Sequence, residues 1–224
     1  IKYGTDNMAK GPAMSREEAI KAIEVGIDTV AELKEKGYNV FATGEMGIGN
    51  TTTSSAVCSV LLDQSVEKVT GKGAGLTNKD LEHKIEVIKQ SIALNQVDAN
   101  DPIDVLSKVG GLDIAGMVGC YIGGAALQVP VFIDGFISSV AALIAIRLIP
   151  ECAPYLFPSH CSNEPAGHLI LDAIGKEPYI LANMCLGEGT GAVMGFTIAD
   201  YAFKAYWELP SFEQTNFGTY EELN

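Results

Sequence analysis

Two short glycine-framed segments carry residues whose types and spacing fit chemistry on a phosphorylated ligand. The first is Gly44-Glu45-Met46-Gly47-Ile48-Gly49-Asn50-Thr51-Thr52-Thr53, which follows the apolar run Val40, Phe41 and Ala42 and opens into a helix-compatible stretch. A strand, a glycine turn and a helix start together present unpaired backbone N–H groups to an anion. The spacing of Gly44, Gly49 and Thr51 fits a nucleoside-triphosphate loop, but Asn50 stands where that loop needs a lysine. The pattern therefore disfavours ATP and GTP and suits a single phosphate, held by backbone amides, Asn50 and the hydroxyl of Thr51 or Thr52. A glycine turn with no ligand fits this segment equally well.

The second segment, Leu186-Gly187-Glu188-Gly189-Thr190-Gly191-Ala192, again precedes an apolar helix-compatible run, over residues 193–203. Glycines on both sides of an acid let the main chain pass close to a ligand and leave the carboxylate available for proton transfer. A plain structural use is also open, because a negative charge near a helix N-terminus is favoured by the helix dipole.

The elements that must position these segments follow from periodicity. Ser15-Arg16-Glu17-Glu18 is a capping box, and Ile20, Ile23, Ile27 and Val30 continue at helical spacing until Gly37. A strand ending at Thr43 follows, and then a helix over residues 51–62. Gly71-Lys72-Gly73-Ala74-Gly75 is a second glycine turn, with Gly73 a candidate phosphate or ribose contact. From Asn78 a further helix carries Leu81, Ile85, Ile88 and Ile92 as its apolar stripe, with Lys84 at the stripe's edge and able to reach inward. Small residues between Asp113 and Leu127 predict a helix packed closely on another element. Residues 129–133 read as a buried strand that delivers Asp134-Gly135 before a helix over residues 136–148. Such alternation predicts an α/β fold, a mainly parallel sheet with helices on both faces and ligands at the strand ends.

Composition narrows the function classes. The chain has 224 residues, 47% hydrophobic, which is enough for one well-buried α/β domain. A net charge of −13 without a basic cluster argues against a nucleic-acid partner. The apolar stretch at 129–149 contains Asp134 and Arg147, so no membrane span is expected. Five widely spaced cysteines form no Cys-x-x-Cys pair and read as reduced cytoplasmic thiols. His83, His160 and His168 lack zinc-like spacing, so no metal is expected and a structural or hydrogen-bonding role suits them better.

Taken with Gly110-Gly111-Leu112-Asp113-Ile114-Ala115-Gly116, Pro130-Val131-Phe132-Ile133-Asp134-Gly135-Phe136-Ile137 and Ser159-His160-Cys161-Ser162-Asn163-Glu164-Pro165, the two glutamate segments resemble the nicotinate-nucleotide:dimethylbenzimidazole phosphoribosyltransferase family of cobalamin synthesis. The resemblance runs from about residue 4 to about residue 207. It implies a Rossmann-like α/β domain over residues 1–207, a tail over residues 208–224, and a small helical subdomain left incomplete because family members carry a section before the equivalent of Gly4.

The resemblance also implies a reaction, in which phosphoribose moves from nicotinate mononucleotide to a benzimidazole-type base in the cytoplasm. The expected assembly is a homodimer, and no cofactor is needed because no pyrophosphate leaves. Glu188 becomes the general base and Glu45 the second acid, with Asp134 or Glu45 facing the positive charge that develops on the ribose. Lys84 neutralises the phosphate beside Gly47, Gly49, Asn50, Thr51, Gly73 and Ser162, while Gly135 and Leu186 complete the substrate contacts. The alternative is a non-catalytic nucleotide-binding or regulatory member of the same family.

Overall fold

The computed structural model describes residues 1–215. The first helix, α1 (Arg16–Glu35), begins as the capping box requires: the Ser15 hydroxyl accepts from the Glu18 N–H, and the Glu18 carboxylate accepts from the Ser15 N–H. It lies along α6 (Leu112–Ala126) at backbone contact. A Cβ on Gly26 would collide with the Gly116 carbonyl oxygen, and one on Gly119 with that of Ile23. The small residues expected between Asp113 and Leu127 therefore serve this seam.

The remaining helices form the body of the core. α2 (Asn50–Leu62) is buried over most of its length, α3 (Val66–Val69) is a single turn, and α4 (Asn78–Asn95) buries Ile88 and Lys84. α5 (Pro102–Val109) is capped by Asp101, whose carboxylate accepts from the N–H groups of Ile103 and Asp104. α7 (Phe136–Leu148) is buried continuously from Phe136 to Ala145, as a helix apolar on all sides must be.

Three short parallel strands, β1 (Phe41–Ala42), β2 (Val131–Ile133) and β3 (Leu156–Pro158), lie side by side in that order. Phe41 pairs with Val131, and Val131, Phe132 and Ile133 pair with Leu156, Phe157 and Pro158. A 3₁₀ segment, Pro150–Tyr155, leads into β3, and α8 (Gly167–Ala173) follows it. Alternation of side chains sends Val131 and Ile133 into the main helical core. Phe132 points the other way, stacks on Phe157 at 5.6 Å and meets the edge of Phe196 at 4.8 Å. Phe196 belongs to α9 (Thr190–Glu208), so helices cover both faces of the sheet, as predicted.

The second face is thinly covered. α9 buries only Gly191, Ala192 and Gly195, and residues 201–210 are all exposed. Of the tail expected at 208–224, residues 208–214 are exposed, and residues 216–224 lie outside the described residues. No helix among the described residues is long and apolar enough to cross a membrane.

Candidate functional site

All three strands end at one cavity. Glu45 follows β1, Asp134 and Gly135 follow β2, and His160, Ser162 and Glu164 follow β3. With Thr51, Gly73, Leu186, Gly187 and Glu188 they line a space of about 470 Å³. Met46, Ile48, Phe136 and Ile137 add apolar wall of the kind that accepts a flat ring.

The two glutamate segments are brought into direct contact. The Glu188 N–H donates to the Glu45 carbonyl oxygen at 2.8 Å, and a Cβ on Gly44 would lie 2.5 Å from the Gly189 nitrogen. Gly187, Glu188 and Gly189 have φ of +74°, +58° and +80°, a left-handed run that is strained at the glutamate and free at its neighbours. Glu45 closes its own turn, its carboxylate accepting from the Gly47 N–H at 2.6 Å. Gly47 and Gly49 are both left-handed, and Gly49 caps α2 with no side-chain hydrogen bond, so the first-turn N–H groups of α2 lack a side-chain cap.

A second group of polar residues gathers around Thr51. Lys84, only 7% exposed, donates from Nζ to the Thr51 hydroxyl at 2.9 Å and to the Gly71 carbonyl at 3.0 Å. Burial lowers the Lys84 pKa, and attraction to Glu164 opposes that shift. Burial raises the Glu164 pKa, opposed by Lys84 and by the Gly73 N–H. One Glu164 carboxylate oxygen is buried with no partner, packed where Gly71 has no room for a side chain. Glu164 is thus a lining residue that had no assigned role in the sequence, because its relation to Lys84 exists only in the folded chain.

Several expected contacts are placed differently. The Asn50 amide donates to the Asp113 carboxylate at 2.7 Å and its oxygen is buried without a partner, so the side chain does not line the cavity. Gly49 is exposed and does not line the cavity, and Lys84 stands behind the wall, reaching it through Thr51. Asp134 lines the cavity but is 2% exposed, and its carboxylate accepts from the N–H groups of Gly189, Gly191 and Ala192 at 3.0, 2.8 and 3.2 Å. Its carboxylate thus anchors the start of α9 from within the cavity wall. Glu188 is exposed, so the chain alone does not close the pocket around it.

His160, a structural or hydrogen-bonding group by its sequence setting, lies within the site. Its Nδ1 stands 4.0 Å from an Asp134 oxygen and 3.1 Å from the Ser159 hydroxyl. Burial lowers the His160 pKa, with Asp134 opposing, so near neutral pH the ring is the uncharged imidazole.

A phosphoribosyltransferase family matches residues 1–217. A nicotinate-nucleotide–dimethylbenzimidazole phosphoribosyltransferase of Ruminiclostridium cellulolyticum is 54% identical over 223 residues, covering 100% of this chain and 63% of the relative. The protein of that name from Acetivibrio thermocellus is 53% identical, over 99% and 63%. The crystal structure of CobT from Thermus thermophilus superimposes with a TM-score of 0.90 at 32% identity, covering 96% of this chain and 64% of that one. The chain spans under two thirds of the length of these relatives.

Proposed function

Because the chain belongs to the phosphoribosyltransferase family, we propose that it transfers the phosphoribosyl group of nicotinate mononucleotide to a benzimidazole-type base. The products are an α-ribazole phosphate and nicotinate, in assembly of the cobalamin nucleotide loop. The observation that carries this reading is the meeting of Glu45 and Glu188 in the wall of a cavity whose polar lining includes Thr51 backed by Lys84. The names of the relatives at 54% and 53% identity supply the substrate class.

The proposed step needs one base. A benzimidazole nitrogen forms its bond to C1′ of the ribose, and the bond from C1′ to the pyridinium nitrogen breaks. The pyridine leaves with that electron pair as neutral nicotinate ring nitrogen. The Glu188 carboxylate then accepts the proton of the second benzimidazole nitrogen. Glu45 lies beside it and is the acid suited to the charge developing on the ribose. At the phosphate end, Thr51, Gly73 and Ser162 line the cavity, and Lys84 supplies positive charge from behind Thr51.

Residues 1–207 are taken as the catalytic unit and 208–224 as its tail, in keeping with the end of α9 at Glu208. The five free cysteines support a cytoplasmic setting. Exposed Val193, Met194, Tyr201, Tyr206 and Trp207 on α9 support the homodimer, which sedimentation would test. Incubating the chain with nicotinate mononucleotide and a mixture of aromatic bases, then reading ribotides by mass spectrometry, tests the activity itself. A base ribotide is the expected result, and nucleotide binding without any ribotide would favour the non-catalytic alternative.

A further inference from the structure

The Glu188 turn hangs from two points. Its own N–H is held by the Glu45 carbonyl at 2.8 Å, and the next N–H, that of Gly189, is held by the Asp134 carboxylate at 3.0 Å. The approach to the turn is otherwise open, since Leu181, Ala182, Asn183, Cys185 and Leu186 are all exposed. Three consecutive left-handed residues persist only where the surroundings over-determine them.

We propose that Asp134 is the positioning residue that sets the Glu188 carboxylate in the cavity, by gathering the N–H groups of Gly189, Gly191 and Ala192. The inference rests on the reading of Glu188 as the base and goes beyond it by assigning what holds the base in place. Asp134 is rigid because it leaves the end of β2 inside the core, so its position is that of the sheet. Its negative charge faces the positive end of α9, the arrangement that helix dipoles favour. Neutral His160 fills the space on its other side, and Gly191 has room for no side chain, because a Cβ there would collide with the His160 ring. The sheet, Asp134 and the start of α9 therefore move as one piece, and Glu188 is carried on it.

The division of labour between the two carboxylate oxygens makes this testable. Oδ1 accepts from Gly191 and Ala192, and Oδ2 accepts only from Gly189. In Asp134→Asn the amide oxygen satisfies the first pair, and the NH₂ group is left against the Gly189 N–H, a donor facing a donor beside Glu188. The expected result is a kcat lower by roughly 10- to 100-fold, with the KM for nicotinate mononucleotide within about threefold of wild type. Amide exchange at Gly189 should be slow in the wild-type chain and fast in Asp134→Asn, with the buried core helices unchanged.

Glu188→Gln assayed alongside separates the two possible failures. If Glu188→Gln keeps turnover, the base assignment falls and this inference with it. If Glu188→Gln is inactive while Asp134→Asn keeps wild-type kcat, the positioning role alone is overturned. Fast exchange at Gly189 in the wild-type chain, or exchange unchanged by Asp134→Asn, overturns it without reference to turnover, even if the variant folds poorly.

Discussion

The Glu188 N–H donates to the Glu45 carbonyl oxygen at 2.8 Å, joining two acids from distant parts of the chain through their backbones. The approach of their backbones is therefore set by main-chain geometry. In the proposed reaction this places both acids on the side of the cavity where positive charge develops on the ribose.

The contact leaves no space for a methyl group. In Gly44→Ala the new Cβ would meet the Gly189 nitrogen and Cα at 2.5 and 2.6 Å, both backbone atoms that cannot swing away. The two loops must separate, at a cost of about 1–3 kcal/mol. Urea unfolding should show that loss, and turnover should fall with it; wild-type stability and turnover would contradict the contact.

Lys84 is bound to Thr51 and the Gly71 carbonyl, and in the proposed reaction it supplies positive charge at the phosphate end of the cavity. Lys84→Ala should weaken nicotinate mononucleotide by about 1.5–3 kcal/mol, as for a charge-assisted hydrogen bond. Because burial holds Lys84 below its ordinary pKa of 10.5, the unfolded chain binds more protons than the folded one between the two values, and stability rises with pH across that window. Nucleotide affinity runs the other way, since the phosphate favours the ammonium form. Titration calorimetry should find affinity falling as pH climbs through the lowered Lys84 pKa in wild type and not in Lys84→Ala. An unchanged dissociation constant in the variant would remove Lys84 from the site.

Cys185 offers a reporter of occupancy. It is the exposed thiol of the chain and lines the cavity beside Leu186, whereas burial pushes the Cys58 thiol up to about 12 and that of Cys152 to about 11. Iodoacetamide should label Cys185 first, and saturating nicotinate mononucleotide should slow that labelling. Peptide mapping that finds Cys185 equally reactive with and without the nucleotide would place the ligand elsewhere.

Much of the framework is legible in local patterns. Ser15 and Glu18, three residues apart, form the capping box they advertise, and Gly116, Gly119 and Gly123 mark the face that meets α1. Lys84 at the edge of an apolar stripe does turn inward. The meeting of Glu45 with Glu188 follows only from the family resemblance, because no periodicity links residues so far apart. β3 is silent in the sequence since three residues ending in proline have no measurable period, and α5 is too short to announce itself by periodicity, although Asp101-Pro102 is a cap followed by a first-turn proline. The occupation of Asp134 by α9, of Asn50 by Asp113 and of Glu164 by the Lys84 pocket is unreadable for one reason. Each depends on a partner supplied by the fold, not by neighbouring residues.

Proton removal from the incoming base by Glu188 is the centre of the account. Turnover and nicotinate mononucleotide binding, measured on the same preparation of Glu188→Gln, test it most directly. The account predicts lost turnover with the dissociation constant preserved, because the substitution removes the proton acceptor and leaves the Glu45 contact and the Lys84 pocket in place. Turnover near the wild-type rate in that variant would contradict it.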